Sequence, residues 1–368
     1  MIEYIKIEGY KSIKTMELEL KPINILIGSN GSGKSNFISF FKLLSALFNN
    51  HLQGFVREEK ADNILYFGRK ITSKLYGKLI FTSNEGITNN AYYFTLEQDK
   101  TGGLYIGEES SGYNVRRDRD NINYFHNYEL DESEIAISNF PRDKYLREHI
   151  SSLRVFHFHD TSATSLLRRE GDVQDNLYLK QDGRNLAAFL YFLQVKHEKI
   201  FARIVATIKS VAPYIDKFIL EPSQLNPKEI ELRWVEKGDV ESNFSAYQLS
   251  DGTLRFIALS TVLLQPNPPS VVIIDEPELG LHPLAIAKLA GMIQAAASKT
   301  QIILSTQSAN LIDYFEPEDI IAVDRNKDEN QSVLTRLNSE NLKLWLDDYS
   351  LGDLWQRNII NSAQPFLK

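Results

Sequence analysis

Ile23-Asn24-Ile25-Leu26-Ile27-Gly28-Ser29-Asn30-Gly31-Ser32-Gly33-Lys34-Ser35 is the stretch from which the rest of the chain is read. Five mainly apolar residues after Pro22 predict a short strand buried in the middle of a sheet. The next eight residues match G-x-x-x-x-G-K-[ST] in full, and the match lies between a strand and a helix, as its chemistry requires. Glycines let successive backbone N–H groups converge on phosphate oxygens, and a helix that starts there turns its positive end toward the anion. Asn30, Gly31, Ser32 and Gly33 supply that cradle, Lys34 a charge for the β- and γ-phosphates, and Ser35 a hydroxyl for Mg²⁺. Beyond it Phe37, Phe40, Phe41, Leu44, Leu47 and Phe48 recur at helical spacing, which reads as a helix packed on the sheet rather than a ligand box.

A second strand-then-acid pattern stands downstream. Val271-Val272-Ile273-Ile274 delivers Asp275 and Glu276 at the end of a buried strand. Asp275 is suited to holding Mg²⁺ through water, and Glu276 to polarising the water that attacks the γ-phosphate. Upstream of it, Leu249-Ser250-Asp251-Gly252-Thr253 opens the apolar helix that runs to Leu264. A Ser at a helix start is an ordinary cap, but Ser250 and the N–H groups around Gly252 also make a second anion cradle.

The whole chain sets bounds on these readings. Its 368 residues suggest two or so structural units. With 41 Lys plus Arg against 48 Asp plus Glu, the net charge of −7 disfavours a protein wrapped in nucleic acid over its whole surface. No cysteine is present, which excludes disulfides, cysteine zinc sites and thiol catalysis. Neither a signal-peptide pattern nor an apolar run of the ~20 residues that span a bilayer is seen, so a cytoplasmic protein without a membrane partner is expected.

Met16, Leu18 and Leu20 alternate with charged residues as a strand with one wet face. Lys78 to Thr82 and Ala91 to Leu96 read as antiparallel strands, and the polar stretch from about Glu108 to Glu134 as an exposed loop or insertion. Helical periodicity covers Asn185 to Val211 and stops at Pro213. The tail then alternates helix and strand through Ile302-Ile303-Leu304. The expected class is α/β with a parallel core.

Taken together, the residues resemble the ABC-type ATPase superfamily, in the branch that holds RecF, the SMC heads and the stand-alone AAA-family ATPases similar to OLD (overcoming lysogenization defect) proteins. Leu249 to Thr253 resembles the signature motif, and Glu276-Pro277-Glu278-Leu279-Gly280-Leu281-His282-Pro283 the OLD-like Walker B and D-loop region. Trp345 to Trp355 looks like the end of such stand-alone ATPases. The resemblance implies an ABC-type head with a P-loop parallel-sheet core, an antiparallel β subdomain and a helical insertion. Its parts are expected at 1–60 (Walker A), 61–110 (antiparallel), 111–216 (helical insertion) and 217–368 (signature, Walker B and switch). It also implies that ATP and Mg²⁺ are bound and ATP hydrolysed, and that two copies, or a larger assembly of such dimers, close over ATP. Gln307 stands where this family carries a switch histidine; an amide can contact a γ-phosphate but cannot titrate. Lys11, after the first strand, stands where such ATPases often place a basic residue against the nucleotide. Gln53 is a Q-loop candidate by position alone. The segment Phe156-His157-Phe158-His159-Asp160 fits a packed strand end better than a metal site.

Coiled-coil arms have no room here, and few residues follow Pro283 for an OLD-type nuclease domain. The expected function is therefore sensing or regulation in genome maintenance or anti-phage defence through a separately encoded nuclease or toxin. The alternative is a RecF-like clamp that binds nucleic acid through Arg116-Arg117-Asp118-Arg119, Arg142 to Arg147 and Arg168-Arg169. A transporter subunit would leave the stretch between Asp62 and Asp216 unexplained, and a small-molecule kinase the Ser250 motif.

Overall fold

The computed structural model describes residues 1–82, 89–99, 102–114, 123–124, 128–129, 144–239, 241–326 and 328–360. In chain order the elements begin with β1 (Ile2–Tyr10), β2 (Ile13–Glu19), β3 (Ile23–Ile27), α1 (Lys34–Phe48), α2 (Leu52–Glu59) and α3 (Ala61–Ile64). There follow β4 (Lys74–Thr82), β5 (Asn89–Gln98), β6 (Leu104–Asn114), β7 (Asn123–Tyr124), β8 (Tyr128–Glu129), α4 (Lys144–Ser151), β9 (Arg154–Phe156) and β10 (Gly171–Asp172). The middle of the chain holds α5 (Leu186–Lys196), α6 (Glu198–Val211), β11 (Ile215–Ile219), β12 (Glu229–Ile230), β13 (Arg233–Glu236), β14 (Phe244–Ser245) and α7 (Asp251–Leu264). The last elements are β15 (Val271–Asp275), α8 (Pro283–Ala296), β16 (Gln301–Thr306), α9 (Ala309–Ile312), β17 (Ile320–Asn326), β18 (Gln331–Arg336), α10 (Ser339–Leu346) and α11 (Leu351–Gln356). Among the described residues no helix is long and apolar enough to cross a membrane.

The chain divides into two compact units: Met1–Arg154 with Pro269–Ile273 and Thr300–Lys368, and Val155–Pro268 with Ile274–Lys299. Each unit is assembled from distant pieces of chain.

In the first unit β3 is central, as its apolar run predicts: β16 pairs with it in parallel on one side and β17 on the other. Ile25, Leu26, Ile303, Leu304, Ile320 and Ile321 are fully buried there. The register sets Thr306 opposite Ile27, so β16 and β3 end together at one edge of the sheet. A second, antiparallel sheet has the order β2-β1-β4-β5-β6. It thus recruits the first two strands of the chain as well as the expected pair, whose register sets Ile80 opposite Ala91. Helix α1 packs its aromatic stripe on this sheet. The Phe40 ring meets Tyr10 edge-on at 5.4 Å and Phe94 at 6.2 Å, and Phe48 meets Tyr92 at 5.1 Å.

One expectation is corrected here. The polar run from Glu108 does not begin as a loop, since β6 continues to Asn114. Glu109 is buried and accepts a 2.8 Å hydrogen bond from the Tyr92 hydroxyl, whose pKa burial pushes up. A paired carboxylate inside a sheet has the same sequence signature as an exposed one.

In the second unit α7, α8, α5 and α6 form the helical part, and β11, β13 and β14 a small antiparallel sheet. The long helical period splits at His197 into α5 and α6. Helix α8 starts where His282 caps the Leu284 N–H and Pro283 occupies the first turn, a position that suits a residue lacking an N–H.

Candidate functional site

The glycine-rich loop of the first unit connects β3 to α1, with φ of 157° at Gly28, 79° at Gly31 and 117° at Gly33. Gly33 caps α1, and only glycine fits there. A β-carbon would stand 2.7 Å from Ser332 Cβ and 3.0 Å from Ser12 Oγ, in a backbone region that L side chains avoid. Lys34 is buried in the first turn; its Nζ donates to the carbonyls of Gly28 at 2.6 Å and Ser29 at 3.1 Å, so the loop curls around the ammonium. Ser35 and Asn30 are exposed. Ser32 is buried, and its hydroxyl oxygen has no hydrogen-bond partner among the described residues. A glycine-rich turn ahead of a helix start, an enclosed ammonium and a buried hydroxyl unmatched among the described residues fit a polyphosphate.

Sequence reasoning missed what braces this loop. Ser332 of β18 donates its hydroxyl to the Ser32 carbonyl at 2.6 Å and lies 2.6 Å from Ser12 Oγ, which accepts from Asn36 Nδ2 at 2.7 Å. Serines about three hundred residues apart leave no local signal. Gln307 follows β16 and is exposed, at the sheet edge where β3 runs into the loop. Trp355 and Asn358 of the tail line a cavity of about 180 Å³ with Gly28 and Ser29. Lys11 takes a left-handed backbone (φ 47°) and pairs with Glu59 at 3.0 Å, beside a cavity of about 410 Å³ lined also by Ser12, Asn36, Asp62, Tyr66 and Arg325. The amide of Gln53 donates to the Leu104 carbonyl at 2.8 Å, a structural bond within its own unit.

The second unit carries the other predicted group. Ser250 caps α7: its Oγ accepts from the Thr253 N–H at 3.2 Å, and the side chain remains exposed. Gly252 is packed so closely against the Gly280 carbonyl that a β-carbon there would collide with it. Leu249 and Ser250 are positioned by a residue that the sequence had suggested for a basic lobe. Arg168 is buried, not solvated; it donates to the carbonyls of Thr161 at 2.9 Å, Leu249 at 3.1 Å and Ala246, and pairs with Asp251 at 2.7 Å. A guanidinium fork is the one side chain able to satisfy so many carbonyls at once. Of the other expected basic residues, Arg116 to Arg119 and Arg142 lie outside the described residues, and Arg147 and Arg169 are exposed.

Asp275 and Glu276 are half-buried, and Glu276 has φ 42°. For a residue with a β-carbon this conformation costs about 1–2 kcal/mol. A second buried arginine joins the parts around it. Arg255 of α7 donates to the carbonyls of Phe158 at 2.9 Å, His159 at 3.0 Å and Leu279. Burial lowers its pKa, opposed by the charges of Asp251 and Glu278. His159 in turn sets its Nε2 2.9 Å from the Asp275 carbonyl. The His157-to-Asp160 segment is therefore built against the acidic strand end.

A family model described as "AAA domain, putative AbiEii toxin, Type IV TA system" matches residues 23–313. The chain belongs to this AAA family. The match takes in the glycine-rich loop, the Ser250 turn, the Asp275-Glu276 strand end and Gln307 of the AAA chain. Among solved structures, the AAA chain is similar to an SMC head bound to the C-terminal winged-helix domain of ScpA (TM-score 0.62, 14% identity, 93% of this chain and 99% of that one). It is also similar to an SMC head domain with an extended coiled coil bound to the C-terminal domain of ScpA, from Pyrococcus furiosus (TM-score 0.55, 15% identity, 94% and 98%). These likenesses show that the AAA chain has the fold of an SMC head. No curated protein matches it.

Proposed function

We propose that the chain binds Mg²⁺·ATP at the glycine-rich loop, hydrolyses it with Glu276 as general base, and does so as a dimer in which the Ser250 turn of each copy caps the γ-phosphate held by the other. The observation that carries this reading is the loop itself, which wraps a buried Lys34 and leaves the Ser32 hydroxyl without a partner among the described residues. Such a loop gives a polyphosphate both charge and donors. In this reading Asn30 to Gly33 donate N–H groups to the phosphates and Lys34 neutralises them. Ser35 and Asp275 would hold Mg²⁺, which supplies charge compensation between the β- and γ-phosphates. Glu276 takes the proton of the attacking water, and Gln307 offers an amide to the γ-phosphate. The cavity beside Lys11 is the place for the nucleoside end. Ser250 and Gly252 are exposed or backbone-lined donors at a helix start, and a helix start favours an anion.

A defence role is supported by the family's description, which names a putative toxin of a type IV TA system; that the effector, a nuclease or toxin, is separately encoded is part of this proposal. Larger assemblies would be built from the ATP-closed dimer. The test is phosphate release from Mg²⁺·ATP by the purified chain, with its dependence on protein concentration. Turnover that rises more steeply than linearly with concentration supports a dimeric site. A strictly linear dependence down to nanomolar protein, with a monomer seen in solution, refutes it.

A further inference from the structure

The geometry points to His159 as a positioning residue for ATP hydrolysis: it holds the Asp275–Glu276 peptide, and with it the general base, from a strand end that Arg255 ties to the Ser250 helix. This rests on the reading of Glu276 given above. The ring nitrogen Nε2 of His159 lies 2.9 Å from the carbonyl oxygen of Asp275. A carbonyl can only accept, so Nε2 carries the hydrogen and donates it. That carbonyl belongs to the peptide that leads into Glu276, whose left-handed backbone has to be held against its own preference. Fixing the carbonyl fixes the direction in which Glu276 leaves the strand.

The other side of Glu276 is held by the same small assembly. The Leu279 N–H closes a turn onto the Glu276 carbonyl at 3.3 Å, and Arg255 grips the Leu279 carbonyl. Arg255 also holds the carbonyls of Phe158 and His159, so the histidine is mounted on the guanidinium that clamps the far end of the turn. Arg255 lies on α7, five positions after the Ser250 cap. A phosphate that engages Ser250 on one copy and pulls on α7 therefore moves the mount of His159 and the Glu276 turn in that same copy. Nothing in the residue types of Phe156 to Asp160 announces this role, since the hydrogen bond goes to a backbone atom 116 positions away.

His159 is exposed, so replacing it leaves the core filled. The test compares His159→Ala and His159→Gln with the parent full chain. The readouts are kcat and KM for Mg²⁺·ATP, affinity for a fluorescent ATP analogue, and ¹⁵N-histidine NMR of the ring. His159→Ala is expected to lower kcat roughly ten- to a hundredfold, as loss of an orienting group behind a ligand usually does, with nucleotide affinity unchanged. His159→Gln, which can again offer an N–H at similar reach, should recover most of the loss. The parent spectrum should show the Nε2–H form. Parental kcat in His159→Ala, or equal loss in both variants, overturns the role. A parent that binds ATP without turning it over would refute the hydrolysis reading instead. The ring spectrum decides the hydrogen bond even then, and an Nδ1–H form overturns it.

Discussion

The loop between β3 and α1 in the first unit and the Ser250 turn in the second are both anion cradles in our reading, yet they are shaped by different means. The first is shaped mainly by its own sequence. Three glycines adopt left-handed or extended backbones, Lys34 bonds to carbonyls five and six residues before it, and one serine of β18 braces the outside. The second has a short local cap and is otherwise held by two buried arginines, Arg168 and Arg255, whose partners are backbone carbonyls drawn from distant loops. A cradle built from local backbone can bind before anything else changes. A cradle suspended from arginines moves with whatever those arginines hold, which is suited to reporting that it has been engaged.

Substitutions separate the two. The largest effect is expected from Glu276→Gln: kcat falls roughly 10²–10⁴-fold with ATP affinity retained, because only the proton acceptor is lost. Phosphate release and nucleotide binding measured side by side check this, and turnover like the parent's would remove Glu276 as the base. Lys34→Ala should lower ATP affinity at least a hundredfold, about 3 kcal/mol at a buried charge-assisted contact, as read by equilibrium binding. Arg168→Met tests the second cradle. Leaving the carbonyls of Thr161, Ala246 and Leu249 unmet should cost about 2–3 kcal/mol in urea unfolding, while binding at the loop of the first unit persists. If Arg168→Met abolished nucleotide binding without loss of stability, the division of labour drawn here would be wrong.

The smallest effect belongs to an arginine of the first unit in the opposite setting. Arg69 meets Asp62 through two 2.9 Å bonds, but both are exposed. The hydrogen bonds from Arg69 lower the Asp62 pKa from 3.8 to about 2. A carboxylate whose pKa is depressed on folding favours the folded state above its ordinary pKa, and that benefit is lost as pH falls through about 2. Both groups face solvent, which screens most of that benefit, so side-chain NMR should place the Asp62 midpoint below the ordinary carboxylate value, and Asp62→Asn should lower the unfolding midpoint at neutral pH far less than Arg168→Met does. A stability loss as large as that of Arg168→Met would show that exposure does not separate these two pairs.

The same contrast explains how far the sequence could be read. The β3–loop–α1 passage was legible because glycine, lysine and an apolar strand declare their backbone roles locally, and because the stripe from Phe37 to Phe48 has one period. The acids at the end of β15 and the Ser250 cap were legible for the same reason. Glu108 to Asn114 was misread, since a carboxylate buried against a tyrosine looks like a surface charge until its partner is known. Arg168 read as a solvated charge or part of a basic lobe on type alone, and His159 and Arg255 carried no assignment as determinants of the acidic turn. Their partners are carbonyls, which every residue has, so no pattern of side chains could point to them. Ser12 and Ser332 went unnoticed for want of any local signal across their separation in sequence.

The most direct measurement is a crystal structure of Glu276→Gln loaded with Mg²⁺·ATP. The account predicts two copies head to tail, each Ser250 hydroxyl within hydrogen-bond distance of the γ-phosphate that Lys34 of the other copy holds. A loaded chain whose Ser250 faces solvent, far from any second copy's Lys34, would contradict it.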